Sequence, residues 1–288
     1  MAGYKGKIWR QELNDLMRGI AGAFLFGAPF LYTMEVWWKG NFTSPPRMML
    51  MLGLAYFALV LLNIRGGFRD QQAQTRSQIM TESIEGLAIA FLTATLSLML
   101  MGILRFETGL DAILGRIINV TLPFSIGVGV ANNVLQRADE ENQDADSSPK
   151  HKKVSPLSSS LSDIGATILG AIVIGSSIAP TDEIPMISSW VSPGRLLAII
   201  ASSLLLSYII VFQANFGGQR RRRSQSGFFQ SPMSETLVSY LLSLAVAMLM
   251  LWLFQIVRFG DPFNQWLTYT IVLGLPCTIG GAAGRLAV

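Results

Sequence analysis

Residues 22–36 read GAFLFGAPFLYTMEV, and residues 170–184 read GAIVIGSSIAPTDEI. Gly22, Ala23, Gly27, Thr33 and Glu35 return as Gly170, Ala171, Gly175, Thr181 and Glu183, all at an offset of 148. At the same offset SPPRMML (44–50) meets SPGRLLA (192–198), so Pro45 and Arg47 match Pro193 and Arg195. Further along the offset becomes 153: Glu82 meets Glu235, Arg105 meets Arg258, and LPFSIGVGVA (122–131) meets LPCTIGGAAG (275–284). Anchors that keep one order and need only a short insertion mark an internal duplication.

Both copies sit in apolar sequence. Hydrophobic residues make up 51% of the 288 and charged residues 14%, and mean hydropathy is +0.45. A soluble domain carries about 25% charged residues. So apolar a chain needs lipid around it, and a helix needs roughly 20 apolar residues to cross the hydrocarbon core. Candidate spans are 18–38, 48–64, 86–104, 117–135, 164–180, 196–214, 237–257 and 266–284. No cleavage pattern follows the first apolar run, so it reads as a span and not as a removed leader.

Eight spans bring both termini to one side of the membrane. On that side fall all the Lys and Arg residues except Lys39, Arg47, Arg105, Arg116, Arg195 and Arg258. The bias is the one shown by cytoplasmic loops, so the N- and C-termini are expected in the cytoplasm. It also accounts for the net charge of +4 without a nucleic-acid partner. The predicted fold is therefore all-α and polytopic. Its eight transmembrane helices form two parallel four-helix repeats about a pseudo-two-fold axis along the membrane normal. The repeats are 1–135 and 161–288, and the polar segment 136–160 is a flexible cytoplasmic linker.

Several residue sets carry structural or functional expectations. Gly19, Ala23 and Gly27 lie four apart, as do Thr167, Ala171 and Gly175. With Gly127/Ala131 and Gly280/Gly284 they form flat stripes that let helices approach closely in lipid. Pro29, Pro123 and Pro276 withhold an N–H inside spans, so the matching carbonyls need other partners. Arg220, Arg221, Arg222 and Arg223 suit a topology anchor or a lipid-headgroup contact. Trp37 and Trp38 read as interfacial aromatics.

Glu35 and Glu183 fall near the outer ends of spans 1 and 5, each two residues after Thr33 or Thr181. Arg47, Arg105, Arg195 and Arg258 fall at a similar depth. Charges at a membrane edge pair, snorkel or line water. They could form an Arg–Glu clamp, or a vestibule whose carboxylates attract cations.

No catalytic motif appears, and an enzyme is not expected. With one His (His151, in the linker) and one Cys (Cys277, in an apolar run), neither a metal site nor a cofactor is expected.

GAPFLYTMEVWW (27–38) and LPFSIGVGVA (122–131) resemble a family of bacterial integral membrane proteins known only as a domain of unknown function. The likeness extends over most of the chain, although PTDEIPM in the second half departs from YTMEVWW in the first. It implies a multi-pass protein of the bacterial cytoplasmic membrane and brings no activity with it.

The functional expectation is a channel or transporter for an ion, more readily a cation, or for a small solute. Its path would lie near the interface of the two repeats, with Thr33, Glu35, Thr181 and Glu183 on it. The alternative is a non-transporting membrane subunit or scaffold. Expected partners are the lipid bilayer, a second copy in a homo-oligomer such as a dimer, or a membrane or cytoplasmic protein. No nucleic acid is expected.

Overall fold

The structure is a computed structural model that describes residues 2–66, 76–105, 109–132, 156–214 and 232–286. These residues form helices and turns, with no strand among them. Most of the expected linker, and Arg220–Arg223, lie outside the described residues. The chain divides into two compact units. One is Met1–Met99 with Leu104–Asp139 and Gln213–Phe216; the other is Leu100–Ile103 with Glu140–Phe212 and Gly217–Val288.

In the first unit, α1 (Ala2–Leu31) is followed by α2 (Met34–Trp38), which runs into a 3-10 turn at Lys39–Phe42. Then come α3 (Pro45–Gly66), α4 (Arg76–Leu100) and α5 (Leu110–Val130). The expected span 18–38 is not one continuous helix: α1 stops at Leu31 and the segment Met34–Phe42 turns away from it by 90°. Pro29 lies inside the last turn of α1, and Thr33 is extended (φ −95°, ψ 104°). The Thr33 hydroxyl donates to the Pro29 carbonyl at 2.9 Å and so closes the helix end. Hydropathy counts apolar residues along a run and carries no information on its direction, so the bend was invisible to it.

The bend also changes the setting of the tryptophans. Trp37 is buried at 2% exposure while Trp38 is 49% exposed, with their ring centroids 6.3 Å apart. Trp37 is therefore a core residue and not an interfacial one.

In the second unit, α6 (Pro156–Ile178) precedes α7 (Glu183–Trp190), and the two meet at 87°. Next come α8 (Pro193–Tyr208), continued by a π-helical turn at Ile209–Gln213, then α9 (Pro232–Leu253) and α10 (Phe263–Leu286). The Thr181 hydroxyl donates to the Ile178 carbonyl at 2.6 Å. Leu100–Ile103 belong to this unit: the Trp190 indole Nε1 donates to the Met101 carbonyl at 3.0 Å, and the Arg195 guanidinium lies against Gly102, whose φ is +72°.

Small residues bring helices together inside each unit. A methyl group at Gly22 would overlap Gly127 O and Ala131, and one at Gly27 would run into the Phe124 ring. A methyl at Gly19 would press on Ile89 at 3.2 Å. Ala23 is fully buried beside Gly127. In the second unit Gly170 lies against Gly280 O and Gly284 against Ala166 O, Gly175 packs on Cys277 Sγ, and Ala171 is fully buried.

The polarity of α4 runs opposite to that of a helix in a soluble bundle. The buried face of α4 carries Ser83, Gly86, Thr93 and Ser97, while Ile84, Leu92 and Leu96 on the same helix are about 60% exposed. The buried hydroxyls of Thr93 and Ser97 bond to the carbonyls of Ile89 and Thr93, which satisfies them within the helix. Among the described residues six helices are long and apolar enough to cross a membrane, and the two bent pairs raise the number to eight if each pair is one span.

Candidate functional site

The segment after the α1 bend lies across the N-terminal part of α5, because glycines allow the approach and polar side chains fasten it. Gly40 and Gly115 meet backbone to backbone: a methyl on Gly115 would overlap Gly40 O, and one on Gly40 would lie 2.5 Å from Arg116 N. Arg116 Nε donates to Asn41 Oδ1 at 2.7 Å, and Asn119 Nδ2 donates to the Val36 carbonyl at 2.9 Å. Both α5 side chains are buried, at 9% and 7% exposure. A buried guanidinium or amide is costly in lipid unless it is bonded. Here those bonds hold the bent segment in place.

Beside this contact is a cavity of about 450 Å³. Phe30, Met51, Leu122, Pro123 and Ile126 make its apolar walls, and Glu35, Lys39 and Asn119 supply its polar groups. Every lining residue belongs to the first unit. The bond to the Val36 carbonyl fixes which way the Asn119 amide faces, since only its NH₂ can donate. Its Oδ1 is buried and has no hydrogen-bond partner. Pro123 follows four residues later in α5 and withholds the N–H that a regular helix would offer to the Asn119 carbonyl. Glu35 is exposed at the start of α2 and makes no ion pair among the described residues.

The other nominated residues are distributed as follows. Thr33 and Thr181 sit at the two bends with their hydroxyls committed to backbone carbonyls. Glu183 is half-buried in the first turn of α7. Arg47 and Arg105 are exposed, at the start of α3 and just beyond α4; Arg195 is half-buried against Gly102. Arg258 is exposed, with its backbone N–H donating to Asp261 at 2.7 Å.

Two polar arrangements escaped the sequence reading. Arg116 counts there only as a basic residue on the side opposite the termini, and Asn119 is given no role. Arg285, counted as a terminal cation, is 1% exposed, pairs with Glu235, donates to Ser239 Oγ at 2.9 Å and stands 5.8 Å from the Phe212 ring centroid. In the first unit Arg18 is buried instead, paired with Asp15 and donating to Asn132 Oδ1 at 3.3 Å.

Long apolar helices with lipid-like outer faces and bonded polar groups inside define a polytopic α-helical integral membrane protein. Residues 15–288 match the family described as "Putative integral membrane protein (DUF2391)", and the chain belongs to that family. No curated protein and no solved structure matches it.

Proposed function

We propose that the protein carries a small cation across the bilayer, and that Glu35 and the cavity behind it are where the cation is taken up. The observation that carries the reading is the Glu35 carboxylate, which has no ion-pair partner among the described residues and lines a cavity beside a bend in a membrane helix. An ionisable group at a membrane edge pairs, snorkels or lines water, and Glu35 makes no ion pair among the described residues. Broken helices are the usual place for irregular backbone at such depth, because there it can line a cavity.

The same reading takes the chain as a duplicated unit of four spans, with each bent pair crossing once. It is supported by matched positions that do matched work. Gly22 with Gly127, and Gly170 with Gly280, make the close helix crossing in their respective units. The bends of 90° and 87° follow matched threonines. The placement of basic residues supports cytoplasmic termini, and the family resemblance supports a bacterial cytoplasmic membrane.

The test is flux from proteoliposomes that hold the full chain. Cation flux above that of empty liposomes is expected, and Glu35→Gln should lower it about tenfold, as loss of a charged acceptor does. Flux no greater than that of empty liposomes, with a stoichiometric protein partner recovered from the native membrane, would favour the scaffold instead.

A further inference from the structure

We infer that the end of α9 in one copy of the chain docks on the start of α3 in a second copy, through Phe254 and Gln255 on one side and Phe42 and Arg47 on the other. The inference rests on the reading of the chain as a duplicated unit and not on transport.

In the second unit the segment that ends α4, Leu100–Ile103, is held by Trp190 and Arg195. The Trp190 indole donates to the Met101 carbonyl at 3.0 Å, and the Arg195 guanidinium lies against Gly102. Met101 and Ile103 are buried there. A cation at the C-terminal end of a helix meets carbonyls that the helix itself leaves unbonded.

The duplication supplies both sides of this contact a second time. At the offset of 148, Trp190 and Arg195 correspond to Phe42 and Arg47; at 153, Met101, Gly102 and Ile103 correspond to Phe254, Gln255 and Ile256. The end of α9 has the shape of the end of α4. Gln255 has φ +61° where Gly102 has +72°, and the Val257 N–H donates to the Leu251 carbonyl as the Leu104 N–H does to that of Leu98. Yet the second set of surfaces is open. Phe42 is 77% exposed and Phe254 42%, and Arg47 and Gln255 are exposed with them. The Phe254 carbonyl and the Gln255 amide make no hydrogen bond among the described residues.

Gln255 is also the only non-glycine residue at positive φ among the described residues. A side chain is costly in that conformation and glycine is not, so its presence at an exposed turn points to a use for the amide. A methyl group on Gly102 would stand 2.6 Å from Arg195 Nη1, so at the matching place the Gln255 side chain would reach the Arg47 guanidinium and accept from it. Acyl chains would cover the rings and leave these polar groups unbonded, whereas water would bond the polar groups and leave the rings bare. A surface made of an aromatic ring and a guanidinium suits both, and these residue types are enriched where proteins meet. With each bent pair crossing once, both surfaces lie on the membrane face opposite the termini, so copies inserted the same way bring them level.

The test places two populations of the full chain in one membrane, one carrying Arg47→Cys and a first tag, the other Gln255→Cys and a second tag. Cys277 is buried, so a short bismaleimide reads the introduced thiols. Covalent dimers bearing both tags are expected, with a yield that survives about tenfold dilution with lipid, as a bound pair does and a chance encounter does not. Gln255→Gly relieves the backbone and should fold at least as well as the parent, yet weaken association in mild detergent about tenfold. Absence of doubly tagged dimers, a yield that falls with dilution, or unchanged association in Gln255→Gly would overturn the inference. So would a double variant, Arg47→Cys with Gln255→Cys, that links within single chains and never between them. Flux enters none of these readouts, so a failure of the transport reading leaves the docking surface standing.

Discussion

The backbone of Gly22 lies directly against the backbone of Gly127, so that a methyl group on either residue would overlap the carbonyl oxygen of the other. No rotamer relieves such an overlap, because both colliding groups are main chain. Gly127→Val should therefore cost about 3 kcal/mol or more, the upper end for overpacking. Gly280→Val should do the same through Gly170. Gly53→Ala, with nothing within 4 Å, should be neutral. Unfolding in detergent monitored by circular dichroism measures all three; a stable Gly127→Val protein would refute the contact.

Arg285 and Glu235 supply a second expectation. The pair is buried at 1% and 15% side-chain exposure, fifty residues apart in the chain. Removing one partner strands a buried charge and costs about 3–5 kcal/mol, whereas replacing both by apolar groups of similar size is nearly neutral. Arg285→Met should thus lower stability sharply, and Arg285→Met with Glu235→Leu should recover most of the loss. Unfolding of the single and paired variants measures the coupling, and additive losses would contradict it.

Arg116 holds the bent segment through Asn41. In Arg116→Met that bond is gone, and the amides of 34–42 should exchange faster with deuterium while those of α3 stay protected. Hydrogen exchange read by mass spectrometry checks this. Unchanged protection at 34–42 would mean that the glycine contact between Gly40 and Gly115 holds the segment unaided.

Much of the architecture is legible in the sequence because hydropathy and spacing are local properties. Each apolar run falls on a helix, and the glycines at matched offsets fall on helix crossings. Direction is not local. The run from Gly27 to Trp38 stays apolar through the bend at Leu31, so nothing in its hydropathy marks where α1 ends. Pro29 was the available signal, but Pro123 and Pro276 sit inside helices that continue, so proline alone does not decide. Pairings across many residues are equally hidden: Arg285 finds Glu235, and Asn119 finds the Val36 carbonyl, only once the helices pack. Of the site, Glu35 was legible as a charge at a membrane edge. The cavity beside it was not, since it depends on α2 folding back across α5.

Access to position 35 tests the proposed uptake site most directly. Cys277 is the chain's one cysteine and is fully buried, so Glu35→Cys provides a single reactive thiol. In sealed vesicles a membrane-impermeant thiol reagent should label this thiol from one face of the membrane. A folded protein whose position 35 is reached from neither face would contradict the account.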